Sequence, residues 1–135
     1  MTTTPRPIFL VDDDPDDRMI FKMIFGEYKI KRDLIEMNNG IELMEYLDTC
    51  YRDQIPCLIF LDRHMPQMDG LQVLQLLKAN FVYRHIPVVI FSNSRASLDK
   101  SEAYRLGANF FITKPPHIND VRKMIEDLLK IYMIL

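Results

Sequence analysis

The sequence predicts a doubly wound α/β sandwich, and two observations predict it. Five short apolar runs alternate with segments of helical spacing, and four of those runs end on an acid, a hydroxyl or an amine. Strand and helix in strict alternation imply a parallel sheet with right-handed crossovers, covered by helices on both faces. Continuous apolar runs, unlike alternating ones, suit strands that are buried on both sides.

The first run is residues 8–11, and Asp12, Asp13 and Asp14 follow it. Asp14 and Pro15 then read as a helix start, with Asp14 as the cap and Pro15 at the first helical position. Asp16 and Asp17 suit the positive end of the helix dipole, so all three acids after Asp13 take a structural reading. Met19, Ile20, Met23 and Ile24 form the apolar stripe of this first helix. A weaker strand lies at 34–37, followed by a helix carrying Ile41, Met44 and Leu47. The third run, 58–61, ends at Asp62, and Leu71, Leu74 and Leu77 mark the helix after it. The fourth run, 88–91, ends at Ser92. A shorter, more polar helix at 98–106 follows, which Gly107 is placed to stop. The fifth run, 110–112, leads through Thr113 to Lys114. Ile118, Val121, Ile125, Leu128 and Tyr132 then recur at three- and four-residue steps along the last helix.

Residues 1–135 read as one domain, with no repeat, linker or low-complexity tract. Hydrophobic residues make up 48% and charged residues 27%, which is ordinary for a soluble chain. A net charge of -2 with scattered cations predicts no nucleic-acid binding and no attraction to anionic membranes. The opening segment lacks the layout of a secretion signal and no apolar stretch could span a bilayer, so a cytoplasmic location is expected. Cys50 and Cys57 match no metal spacing and read as reduced core thiols rather than a bridge. The methionines read as core gap-fillers.

In an open α/β sheet the ligand crevice lies at the carboxyl ends of the strands, where the winding reverses. Asp12, Asp13, Asp62, Ser92 and Lys114 all fall at that edge. Clustered carboxylates repel one another unless a cation sits among them. An all-oxygen site suits Mg²⁺. A carboxylate so neutralised can attack phosphorus, with the lysine and the hydroxyl holding phosphoryl oxygens. Taken singly, Asp62 is equally a strand-terminating turn residue, and Ser92 and Lys114 are ordinary. Their joint placement carries the weight.

Four segments resemble the receiver domain of bacterial response regulators: Phe9-Leu-Val-Asp-Asp-Asp, Ile59-Phe-Leu-Asp-Arg-His-Met-Pro-Gln-Met-Asp-Gly, Ile86-Pro-Val-Val-Ile-Phe-Ser and Gly107-Ala-Asn-Phe-Phe-Ile-Thr-Lys-Pro. The resemblance implies a flavodoxin-like sheet of order 2-1-3-4-5 with five helices. It implies Asp62 as phosphoacceptor, Asp13 as a direct Mg²⁺ ligand, Asp12 acting through water and the backbone carbonyl of His64 as a further ligand. Ser92 and Phe111 take the switch positions and Lys114 pairs with the phosphoryl group. The Lys114–Pro115 bond is expected to be cis. A sensor histidine kinase or histidine phosphotransfer protein would supply the phosphoryl group, and a downstream protein would read the outcome, as part of a two-component system or phosphorelay.

Two departures stand out. Asn93 replaces the usual Ala or Gly, which narrows access to the phosphoryl group, and Pro116 resembles stand-alone receivers associated with phytochrome-type kinases. Little chain follows the last helix, so no DNA-binding output domain is expected. His85 and His117 read as surface residues. The side chain of His64 is either a solvated bystander or a tuner of dephosphorylation. The apolar tail from Tyr132 suits either a homodimer contact or packing on its own domain.

Other function classes fit less well. Asp12-x-Asp14 resembles the nucleophile motif of haloacid-dehalogenase-like phosphatases, but Asp16 stands where Thr or Val belongs and no acidic pair follows Lys114. An EF-hand reading puts Asp17 where the turn needs Gly and Met23 where the bidentate Glu belongs. A docking module that is never phosphorylated would not need the complete acid set.

Overall fold

The computed structural model describes residues 5–93 and 97–135. The opening residues 1–4, read above as lacking a secretion signal, lie outside them. The chain runs β1 (Ile8–Val11), α1 (Pro15–Gly26), β2 (Leu34–Met37), α2 (Gly40–Thr49), β3 (Leu58–Asp62), α3 (Gly70–Ala79), β4 (Val88–Ser92), α4 (Ser97–Arg105), β5 (Phe110–Thr113) and α5 (Ile118–Ile131). All five strands are parallel, in the order β2-β1-β3-β4-β5, so the winding reverses between β1 and β3. The expected fold is the one observed, with each strand starting at the residue where its apolar run starts.

The period of two along each strand divides the core. Phe9, Val11, Ile59, Leu61, Val88 and Ile90 face the layer formed by α2, α3 and α4. Ile8, Leu10, Leu58, Phe60, Val89 and Phe91 face α1 and α5. On that second side Phe21 of α1 packs edge-on against Phe60 with ring centroids 4.7 Å apart, and Phe60 stacks on Phe91 at 5.4 Å. Edge-on and offset pairs of this kind add about 0.5–1.5 kcal/mol each to the stabilisation from burial.

Helix starts follow the local signals. Asp14 caps α1 by accepting from Asp16 N at 2.9 Å, with Pro15 first in the helix. Asp69 caps α3 through a reciprocal pair with Gln72. Gly107 has φ +105, which an L side chain rarely adopts, and it ends the turn after α4 where Gly107 N and Ala108 N close back on Tyr104 O and Ala103 O.

Three expectations are corrected. The buried stripe of α1 is Phe21, Ile24 and Phe25, while Met19 and Met23 are 64% and 50% exposed. Both sets fit a helical period, and the larger aromatic set wins the core because it buries more apolar surface. Met133 is exposed as well, so only some of the methionines fill the interior. The Lys114–Pro115 bond is trans, as no described peptide bond is cis. The two isomers before proline differ by only about 0.5–1 kcal/mol, so the surrounding chain decides between them. The tail divides between the two readings given for it: Tyr132 packs against Phe110 and Ile134 against the second core, while Met133 faces outward. No helix among the described residues is long and apolar enough to cross a membrane.

Candidate functional site

Parallel strands that enter the sheet from the same edge must also leave at the same edge. Asp12 follows β1, Asp62 ends β3, Ser92 ends β4 and Lys114 follows β5, so one topology brings four distant residues to one rim. Asp12, Asp62 and Ser92 are buried there, the three buried polar or charged side chains among the described residues.

Carboxylate oxygens of Asp12, Asp13 and Asp62 lie within 4.8 Å of one another. Asp12 is fixed by its surroundings. Its Oδ1 accepts from Asp14 N at 2.9 Å, its backbone carbonyl accepts from Arg18 Nη1 at 2.6 Å, and its N–H donates to Met37 O. Opposite the acids, Lys114 Nζ lies 3.1 Å from Asp12 Oδ2, 2.8 Å from Asp17 Oδ2 and 3.4 Å from Asp62 Oδ1. The backbone N–H of Lys114 donates to Ser92 O at 2.7 Å, which pins the start of the β5–α5 connection to β4.

The electrostatics follow from burial and crowding. Loss of water raises the Asp62 carboxyl from 3.8 to about 7, the charge of Asp12 and a hydrogen bond with Asp13 add to this, and Lys114 opposes it. Burial likewise raises Asp12, against the pull of the Asp14 N–H and Lys114. Burial alone would lower Lys114, but the hydrogen bond to Asp17 and the charges of Asp12 and Asp62 outweigh it and hold the ammonium above its ordinary value. One cation therefore faces an excess of negative charge. Three convergent carboxylates, two of them raised, form an oxygen-only set that fits a divalent metal.

Gly70 allows this close packing. A Cβ there would collide with the backbone oxygen of Asp62. In the preceding loop Gln67 takes φ 69 and Met68 N closes on Pro66 O at 2.8 Å, a tight turn that folds the loop back over the end of β3.

Of the remaining residues singled out in the sequence, Phe111 is 7% exposed on β5 and its N–H donates to Tyr104 Oη of α4 at 3.1 Å. His64 is exposed, with Nε2 3.8 Å from Asp99 Oδ2. Asn93, His85 and His117 are exposed.

Sequence reasoning missed two participants. Asp17 was read as a dipole residue, yet it makes the shortest contact to Lys114. Nothing in the spacing distinguishes it from Asp16. Arg63, the residue after Asp62, is largely buried and lies 3.4 Å from both Asp69 at the start of α3 and Asp99 in the first turn of α4, with its Nε buried and no partner for it among the described residues.

A model of the family described as response regulator receiver domain matches residues 8–126. Response regulator Rcp1 of Synechocystis sp. is 30% identical over 92% of this chain and 86% of its own length. Response regulator Rre1 of the same organism is also 30% identical, and there the chain spans about half of the relative, 52%. The crystal structure of Mn²⁺-bound Rcp1 superposes with a TM-score of 0.84 at 30% identity, covering 93% of this chain and 92% of Rcp1. The phosphorylated cyanobacterial phytochrome response regulator RcpA superposes with a TM-score of 0.87 at 26% identity, covering 96% and 94%. The bacteriophytochrome response regulator AtBRR gives 0.73 at 35% identity, covering 92% of each chain. A sheet of this order, an acidic rim with one lysine across it, and a family match over most of the sequence lead to one assignment: the chain belongs to the receiver domains of response regulators, the receiving components of two-component signalling.

Proposed function

We propose that the chain is a phosphoacceptor, taking a phosphoryl group from the phosphohistidine of a sensor histidine kinase or histidine phosphotransfer protein onto Asp62 and signalling through altered protein binding. The observation that carries this is the meeting of Asp12, Asp13 and Asp62 within 4.8 Å with Lys114 across from them. Mg²⁺, held by Asp12, Asp13, Asp62 and the backbone carbonyl of His64, would supply positive charge at the attacking and transferring oxygens. That Rcp1 has been solved with Mn²⁺ and RcpA in phosphorylated form supports the reading.

The roles of the residues follow from their chemistry. An Asp62 carboxyl that titrates near 7 is a poor nucleophile while protonated, so neutralising its neighbours prepares it for attack. Its oxygen forms the new bond to phosphorus as the bond from phosphorus to the donor imidazole nitrogen breaks. The imidazole keeps the electron pair and takes a proton from solvent. Lys114 and the Ser92 hydroxyl would hold the phosphoryl oxygens, and Asn93 stands at the rim where attacking water must pass. Ser92 at the end of β4 and Phe111 on β5 would carry the change to the α4, β5 and α5 surface, where a downstream protein or a second copy of the chain would read it. The reaction is a self-modification rather than turnover of a free substrate. Nothing in the charge pattern favours nucleic acid or a membrane as partner.

Incubation with acetyl phosphate and Mg²⁺ tests this by intact mass. The expected result is one phosphoryl group on the parent protein and none on Asp62→Asn. Equal labelling of both would refute the assignment of Asp62, and no labelling of either would favour a docking module that is never phosphorylated.

A further inference from the structure

Lys114 serves three carboxylates with one ammonium, and the shortest contact is to Asp17 of α1, at 2.8 Å. The three partners are not equally bound to it. Asp12 and Asp62 are buried, and an unpaired carboxylate there would lose its water without compensation. Asp17 is different: its side chain is 35% exposed, so water can replace the lysine. Phosphorylation of Asp62 would place new anionic oxygens within reach of an ammonium that already lies 3.4 Å from the acceptor. A phosphoryl group is a stronger acceptor than a half-hydrated carboxylate.

The position of the pair gives its opening a consequence. Asp17 and Lys114 both line a cavity of about 260 Å³ between α1 and α5, whose other walls include Ile20, Phe21, Pro116 and Met124. The ion pair is a polar tie at the end of the gap where Asp12 also lies, and it joins the first turn of α1 to the β5–α5 connection.

We propose that Asp17 is a positioning residue that competes with the phosphoryl group for Lys114, so that phosphorylation breaks the Asp17–Lys114 pair and releases α1 from the β5–α5 connection. The inference rests on Asp62 being the phosphoacceptor. In the unmodified protein Asp17 draws the ammonium toward α1. In the modified protein the ammonium turns to the phosphoryl oxygens and the polar tie across the cavity is lost, so the same event that completes transfer also alters the α1 and α5 surface.

The test uses beryllofluoride with Mg²⁺ as the phosphoryl mimic, titrated by calorimetry into the parent protein, Asp17→Asn, Asp17→Glu and Asp16→Asn. Asp16 is the control because it sits in the same first turn and carries the same charge, while the ion pairs of Lys114 among the described residues do not include it. Removing the competitor should tighten binding of the mimic about threefold to tenfold in Asp17→Asn, an effect of the size of a partly exposed ion pair. Asp16→Asn should stay within about twofold of the parent, and Asp17→Glu, which keeps the charge, should lie near the parent. A second readout needs no metal: the side-chain ammonium signal of Lys114, followed by NMR in ¹⁵N-lysine-labelled protein, should move in Asp17→Asn and remain in place in Asp16→Asn. Equal affinities for Asp17→Asn and Asp16→Asn, or weaker binding by Asp17→Asn, would overturn the competition. Failure of the parent protein to bind the mimic would overturn the phosphoacceptor reading together with it.

Discussion

Replacing Asp62 by Asn should make the metal-free protein more stable, although it removes the residue on which the proposed function depends. The Asp62 carboxyl titrates near 7 in the folded chain against 3.8 ordinarily, mainly because burial strips it of water. Since the folded value is the higher one, the group costs nothing below 3.8, where both states are protonated. The cost grows as pH rises through the interval and is complete above about 7. At 1.36 kcal/mol for each tenfold change in proton affinity, the full cost approaches about 4 kcal/mol. Asn keeps the shape of a protonated Asp, carries no charge, and relieves the neighbouring Asp12 as well. A gain of about 2–4 kcal/mol is therefore expected near pH 8, falling toward zero near pH 4. For a chain of this length that is roughly 10 °C in Tm. Thermal and urea unfolding across this pH range, in the presence of a chelator, measures the difference. Adding Mg²⁺ should stabilise the parent far more than Asp62→Asn, because the variant lacks one of the three convergent carboxylates. Equal stability at pH 8, or a difference independent of pH, would refute the account of a carboxylate held under electrostatic strain.

Two further outcomes follow from the same geometry. Gly70→Ala should cost about 1–3 kcal/mol and also weaken beryllofluoride binding, because its Cβ meets backbone at Asp62 rather than a side chain that can move aside; unchanged urea unfolding would refute this. Arg63→Ala and Asp99→Asn, combined in a double-mutant cycle, should show a coupling of about 0.5–2 kcal/mol that weakens at high salt, since the pair ties the residue after Asp62 to the first turn of α4; additive single effects would show that the contact contributes nothing.

Much of the fold was legible before any coordinates. The four strong apolar runs start where β1, β3, β4 and β5 start: β1, β3 and β4 are buried on both faces and exclude polar residues over at least four positions, while the half-buried edge strand β5 shows a run of three. The Asp14 cap with Pro15, and Gly107 after α4, were legible because capping depends on residues adjacent in the chain. The rim of Asp12, Asp62, Ser92 and Lys114 was legible for a topological reason. Once the strands are parallel, whatever follows each run must reach the same edge.

What the sequence left open depends on how a helix rotates about its own axis. Two apolar stripes on α1 satisfied the same period, and only packing against Phe60 turned Phe21 inward and left Met19 and Met23 in water. The same rotation aimed Asp17 at Lys114 and left Asp16 exposed, a distinction between identical neighbours that no spacing records. The trans bond at Pro115 and the burial of Arg63 belong with these. Residues next to one another in sequence decide caps, turns and strand runs, whereas contacts between distant segments choose among local states that lie within about 1 kcal/mol of each other.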